Sequence, residues 1–132
     1  MDKLNQFCND NNLINPKTIN FEEIQIDDKI KYFIKTINKS NWIYTLYSCQ
    51  GHKNKTTPYF IFIVDNNKIK EIKTLLKNTI PENIITKDTI RINKIHTGKY
   101  YSTIATHWTT EYIDNETFYQ KLNQMAEHII SK

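Results

Sequence analysis

Apolar residues recur along this chain with a helical period in four segments. From Ile26 the apolar positions fall four, seven, eight and eleven residues on, which is the spacing of one stripe along a helix over residues 26–38. A weaker helical pattern covers about residues 2–10. Two further stripes, over 69–76 and 118–129, each follow an Asp-Asn pair that is typical of a helix N-cap.

Between these helices, four runs rich in aromatic and β-branched residues predict strands over 42–49, 59–64, 89–96 and 100–110. Each half of the chain then has the order hairpin, cap, helix, and each hairpin connection carries one of the two glycines. We expect an α+β fold with a two-layer, four-stranded, mainly antiparallel sheet built from two ββα units, helices on one face and N-terminal helices in addition. The predicted organisation is a single domain with a helical segment at 1–40 and the two units at 41–80 and 88–132.

The alternation of side chains along the second hairpin separates the two faces of the predicted sheet. Ile90 and Ile104 belong to an apolar face, whereas Arg91 and His107 belong to a half-polar one. If the helix over 26–38 leaves this second face open, it would form a concave platform for a polar ligand.

The turn Ser48-Cys49-Gln50-Gly51-His52 follows the first predicted strand. A glycine there is best explained by a positive φ or by close backbone approach, and the neighbouring hydroxyls, lysines and free N–H groups resemble an anion-binding nest. We therefore expect a phosphate or carboxylate site. The residues assigned to ligand binding are Thr45, Ser48, Gly51, His52, Lys53, Tyr59, Arg91, His107 and Trp108.

Cys49 and His52 are the candidate catalytic residues. A thiolate beside an imidazole can act as a nucleophile with the histidine as base, although a cysteine at the end of an apolar strand also fits a small buried core residue. Cys49, His52, His96 and His107 offer no short-spaced pair with a carboxylate, so we expect no metal site.

Charge and composition give only weak evidence about the class of binding partner. The formal net charge is +4, but Arg91 is the only arginine, and an excess of lysine, isoleucine and asparagine is typical of an AT-rich genome. A viral or phage origin would fit this bias. No run approaches the roughly 20 apolar residues of a membrane helix, and Cys8 and Cys49 do not form a disulfide framework. We expect a cytoplasmic protein that does not act in a membrane.

The segment 30–52 resembles the wybutosine-synthesizing methyltransferases of the TYW three type. The similarity comprises a helix ending at Ile37-Asn38, a strand with Tyr44-Thr45, and the turn at 48–52, which corresponds to that family's Ser-Cys-Ser-Gly-Arg turn. The resemblance implies S-adenosylmethionine-dependent tRNA modification, with roles for Thr45, Ser48, Cys49 and Gly51. Gln50 and His52 replace the family's second serine and its arginine.

Three functional hypotheses follow from the sequence. The first is a small binding protein for a nucleotide-like or phosphorylated small molecule, such as a viral protein that sequesters a signalling nucleotide. The alternatives are an enzyme, either an RNA-modifying methyltransferase or a hydrolase that uses Cys49 and His52, and an RNA-binding module whose affinity falls with salt. The sequence leaves a homo-oligomer open.

Overall fold

A computed structural model of the chain describes residues 2–21, 24–49, 57–81, 90–109 and 112–131, with the backbone alone described at 47–49. The helices are α1 (Lys3–Asp10), α2 (Lys31–Ile37), α3 (Ile69–Lys77) and α4 (Glu116–Ile130). The strands are β1 (Ile43–Cys49), β2 (Tyr59–Asp65), β3 (Ile90–Thr97) and β4 (Tyr101–Trp108). Short 3-10 turns at Asp28–Ile30 and Asn66–Lys68 precede α2 and α3. The predicted α+β class is confirmed.

The four strands form one sheet in the order β1-β2-β4-β3, and every neighbouring pair is antiparallel. The two hairpins therefore meet through their second strands, β2 and β4. Tyr59 lies opposite His107, which in turn lies opposite Arg91. Side-by-side joining of two ββα units is what the repeated order hairpin, cap, helix predicted. Asp65 and Asn115 cap the segments that follow the two hairpins, as their positions indicated.

Three helices, α2, α3 and α4, pack on one face of the sheet and enclose the main core. The Phe33 ring of α2 lies with its centroid 5.0 Å from that of Phe60 and 6.2 Å from that of Phe62, both on β2. Trp108 of β4 packs against Phe118 of α4, and the centroids of their rings are 5.2 Å apart. These side chains alternate along their strands with residues of the other face, so the period of two assigned the apolar face correctly.

Helix α1 covers part of the second face. Its residues Leu4, Phe7 and Cys8 form a smaller buried cluster with Tyr44 and Ile63 of the sheet. This cluster occupies the half of the face at which β2 ends and the β3–β4 connection lies. The opposite half, where β1 ends and β2 begins, is not covered by α1, and the helix in the segment 26–38 packs on the first face instead.

Two local features depart from the regular pattern. The helix expected over 26–38 begins as the 3-10 turn Asp28–Ile30 and continues as α2 only from Lys31. Ile26 packs against the main core although its backbone is not helical. Its apolar side chain continues the helical spacing of the sequence, which is why the predicted helix began too early. In β1 a bulge interrupts the register between Thr45 and Tyr47. Within the described ranges, no helix is long and apolar enough to span a membrane.

Candidate functional site

Much of the turn predicted as the site falls outside the described part of the chain. Gly51, His52 and Lys53 lie there, and Ser48 and Cys49 are described by their backbone alone. The β1 ladder places Cys49 directly opposite Tyr59. The anion nest and the pairing of Cys49 with His52 therefore stay predictions.

The structure separates Thr45 and Trp108 from the other candidate ligand residues. Thr45 is 4% exposed, and its hydroxyl accepts a hydrogen bond of 2.6 Å from the side-chain N–H of Asn38. Its backbone N–H donates to the side-chain oxygen Oδ1 of Asn38 at 3.0 Å. Trp108 is 1% exposed and packs edge-on against Phe60 in the main core. Both belong to the helix-covered face of the sheet, on the opposite side from Tyr59 and His107.

Tyr59, His107 and Arg91 do come together, in one row across three strands of the second face. The rings of Tyr59 and His107 are nearly parallel, with an angle of 22° and centroids 5.7 Å apart. Burial, with a smaller contribution from the Arg91 charge, lowers the pKa of His107 below its usual value. His107 Nδ1 is buried and has no hydrogen-bond partner within the described residues.

A cavity of about 500 Å³ lies at the other end of this face, between α1 and the β3–β4 connection. It is lined by Lys3, Gln6, Phe7, Asp10, Asn11, Thr97, Gly98, Lys99 and Tyr100. Its volume falls in the range of roughly 300–1,000 Å³ that is usual for small-molecule sites. Its lining combines two aromatic rings with charged, hydroxyl and amide side chains.

Two lysines converge on one aromatic ring of this cavity. The Lys3 ammonium nitrogen lies 4.1 Å from the centroid of the Tyr100 ring, and the Lys99 ammonium nitrogen lies 5.3 Å from it. Both distances are within cation–π range. Among the described residues, neither ammonium group is paired with a carboxylate. Two unpaired positive charges at one ring make this part of the cavity attractive to an anion.

Hydrogen bonds from Asn66 fix the backbone of the β3–β4 connection. Its side-chain amide donates hydrogen bonds to the backbone carbonyl oxygens of Gly98 at 2.9 Å and Lys99 at 3.1 Å, and its backbone N–H donates to that of Tyr100 at 2.8 Å. Its remaining side-chain oxygen accepts from the hydroxyl of Ser102 at 2.6 Å. One residue thus fixes three consecutive carbonyl groups, and with them the backbone that carries Lys99 and Tyr100.

Gly98 allows α1 to approach this connection closely. A Cβ atom at Gly98 would lie 2.7 Å from Cδ1 of Phe7 and 3.1 Å from the backbone oxygen of Tyr101. Phe7 is 5% exposed and also contacts the ring of Tyr101, with centroids 6.1 Å apart. The packing of the Phe7 ring between α1 and the β3–β4 connection therefore requires a residue without a side chain at position 98.

The end of the cavity away from the lysines carries both hydrogen-bond donors and acceptors, on the side chains of Gln6, Asp10 and Asn11. The Gln6 side-chain amide donates to one carboxylate oxygen of Asp10 at 2.7 Å. The Asn11 amide donates to the backbone oxygen of Phe7 at 2.9 Å. Each bond uses one of the two N–H donors of its amide, and acceptor oxygens remain on Gln6, Asp10 and Asn11.

Sequence reasoning missed this site. Lys3, Phe7 and Asp10 do lie at helical spacing on α1, and Gly98 was singled out as the second of two glycines, but nothing in the spacing shows that α1 docks beside residues more than 80 positions later. No known protein family matches the chain, and comparison with curated proteins and with solved structures finds no match either. In the described ranges, no group of three or more metal-ligating side chains is assembled.

Proposed function

We propose that this protein binds a phosphorylated, nucleotide-like small molecule in the cavity between α1 and the β3–β4 connection. The observation that carries the proposal is the convergence of the Lys3 and Lys99 ammonium groups on the Tyr100 ring without a carboxylate partner in the described residues. A phosphate placed there satisfies both charges at once.

The physical case for a phosphate rests on charge, size and rigidity. Two like charges held near one ring repel each other, and a bound anion offsets that repulsion because it attracts both ammonium groups. Lysine binds phosphate as a point charge with several donors, so it tolerates the variable angles of a surface cavity. Because Asn66 fixes the turn, little ordering of Lys99 and Tyr100 is needed on binding, which favours affinity.

Calorimetric titration with a panel of nucleoside monophosphates, cyclic nucleotides and ribose phosphate tests the proposal. We expect saturable binding by at least one phosphate compound and a loss of at least about tenfold in affinity in the Lys3→Gln/Lys99→Gln variant, since each charge-assisted contact contributes about 1.5–3 kcal/mol. The matched control is Lys77→Gln, an exposed lysine of α3 outside this cavity. Absence of binding across the panel, or an equal loss in the control, would overturn the proposal.

A second candidate function is RNA binding on the half of the second face that α1 does not cover. The row of Tyr59, His107 and Arg91 places two rings beside an exposed guanidinium, a combination that suits stacking of unpaired bases and contact with phosphate. Binding of a fluorescent single-stranded RNA should then weaken steeply as salt rises and fall further in Arg91→Gln. A flat salt response would count against it.

A further inference from the structure

We propose that two copies of this chain associate through β3, with the two strands antiparallel, so that their four-stranded sheets become one continuous sheet. Strand β3 is an edge of the sheet, because among the described strands it pairs only with β4. In the proposed pair, Ile92 of one copy lies opposite Ile92 of the other. Residues 90–94, which form this surface, are not among the residues that line the proposed nucleotide site.

Three residues of β3 direct their backbone N–H and carbonyl groups away from the sheet. The backbone N–H of Trp108 in β4 donates to the Pro58 carbonyl oxygen at 3.0 Å, so the backbone groups of Trp108 point toward β2. Ile90 lies opposite Trp108, and its backbone groups therefore point away from β4. Because this direction alternates along a strand, Ile92 and Lys94 point the same way. Among the described residues, no turn or loop backbone supplies a partner for these three.

The opposite edge of the sheet, β1, is closed by side chains of its own chain. The Ser40 hydroxyl accepts from the backbone N–H of Ile43 at 3.0 Å and donates to the Ile43 carbonyl oxygen at 2.7 Å. The side-chain oxygen of Asn38 accepts from the backbone N–H of Thr45 at 3.0 Å. The bulge between Thr45 and Tyr47 then interrupts the ladder. Proteins protect edge strands against pairing in such ways, and within the described ranges β3 lacks this protection.

The order of residues in β3 favours one register for self-pairing. The regular part of the strand ends at Lys94, where its register with β4 shifts, and Ile92 is the centre of residues 90–94. With Ile92 opposite Ile92, Ile90 lies opposite Lys94 and Arg91 lies opposite Asn93. No two positive charges are then directly opposite. A pair centred on Arg91 or on Lys94 would place like charges opposite each other, which is destabilising.

Pairing in this register extends both the ladder and the core. Three hydrogen-bonded residue pairs give about six hydrogen bonds between the chains, because each such pair exchanges two. Ile90 and Ile92 are half-buried at the edge of the main core, and the second strand would cover more of their side chains. An interface made by one short strand pair is small, which is typical of a weak, reversible dimer.

Static light scattering on a concentration series of the full chain tests the proposal. We expect a reversible monomer–dimer equilibrium in which the dimer prevails at about 1 mM, as a small interface gives. Asn93→Glu places a carboxylate opposite Arg91 of the other copy twice per dimer, so the dissociation constant should fall about three- to tenfold. Asn93→Lys should raise it by a similar factor. Asn93 is exposed, so both substitutions leave the core of the monomer unchanged.

Two matched controls separate strand pairing from other association. Lys77→Gln on α3 lowers the net charge by one, as Asn93→Glu does, and should leave the dissociation constant unchanged. Lys94→Pro removes an outward N–H group, a change that edge strands tolerate, and should weaken the dimer at least about tenfold, whereas Lys94→Gln should retain it.

A chain that stays monomeric at 1 mM would overturn the proposal. A dimer that responds equally to Lys77→Gln and Asn93→Glu would also overturn it, because net charge alone would then control association. So would a dimer that neither Asn93 substitution changes, and this comparison decides the question even if Lys94→Pro does not fold.

Discussion

The ammonium group of Lys3 lies 4.1 Å from the centre of the Tyr100 ring, and this contact joins the first helix to the connection between the last two strands. Both residues line the cavity between the helix and the connection. Two hydrogen bonds help to position the pair: Asp2 caps α1 by accepting from the backbone N–H of Asn5, and the Asn66 side chain donates to the Gly98 carbonyl oxygen. The site is therefore a product of how α1 docks on the sheet.

Gly98→Ala should destabilise the protein by about 1–3 kcal/mol, the usual cost of overpacking. The added methyl group would meet the Phe7 ring and the Tyr101 carbonyl, and the entropic gain of replacing glycine, about 0.4–1 kcal/mol, is too small to offset that clash. Urea denaturation of both proteins measures the difference. Nucleotide affinity should fall as well, because α1 must move away from the connection.

The double variant Phe7→Leu/Gly98→Ala provides the control for this clash. A smaller, flexible side chain at position 7 can yield to the new methyl group, so the two changes together should cost less than the sum of the single costs. Strict additivity would show that the effect of Gly98→Ala arises elsewhere.

Asn66→Ala should cost about 2 kcal/mol in unfolding free energy. It removes the acceptor of the fully buried Ser102 hydroxyl and the donor to two turn carbonyls. Asn67→Ala is the matched control, because Asn67 is the next residue in the chain and its side chain is exposed. Chemical denaturation compares the two. Similar stabilities for both variants would argue against the role of Asn66 as the anchor of the turn.

His107 should titrate below the usual histidine pKa of 6.5, because burial and the Arg91 charge both disfavour its charged form. In the pH range just below 6.5 the unfolded chain then binds more protons than the folded one, so stability falls as pH falls through that range. Arg91→Gln should move the pKa of His107 upward. An NMR titration, with the His107→Gln spectrum to assign the signal, measures both values.

A His107 titration at or above 6.5 in the wild-type protein would contradict the burial of its ring beside Tyr59. A value that is low but unchanged in Arg91→Gln would assign the shift to burial alone.

Periodicity gave a sound account of the sheet and of most helices. Alternation in β4 correctly separated Ile104 from His107, because adjacent residues of a strand must point to opposite faces. The start of α2 was less accurate, since the buried Ile26 continues the apolar spacing although its backbone is not helical. Apolar spacing records burial, and burial alone does not determine backbone conformation.

The cavity could not be read from the sequence, for a physical reason. Its two walls, α1 and the β3–β4 connection, are more than 80 residues apart in the chain, and only their docking brings Lys3 to Tyr100. Thr45 was chosen for its closeness to the turn at 48–52, yet its hydroxyl is bound to Asn38 on the other face. Residues that are close in the sequence to the turn at 48–52 therefore do not all lie on one face of the sheet.

The most direct test of the proposed site is a nitrogen-15 chemical-shift map recorded while adenosine monophosphate is added to the full chain. Saturable shifts should concentrate in the amides of α1 and of residues 97–100, and they should disappear in the Lys3→Gln/Lys99→Gln variant. Shifts confined to Arg91, His107 and their neighbours, or no shifts at millimolar nucleotide, would contradict a nucleotide site between α1 and the β3–β4 connection.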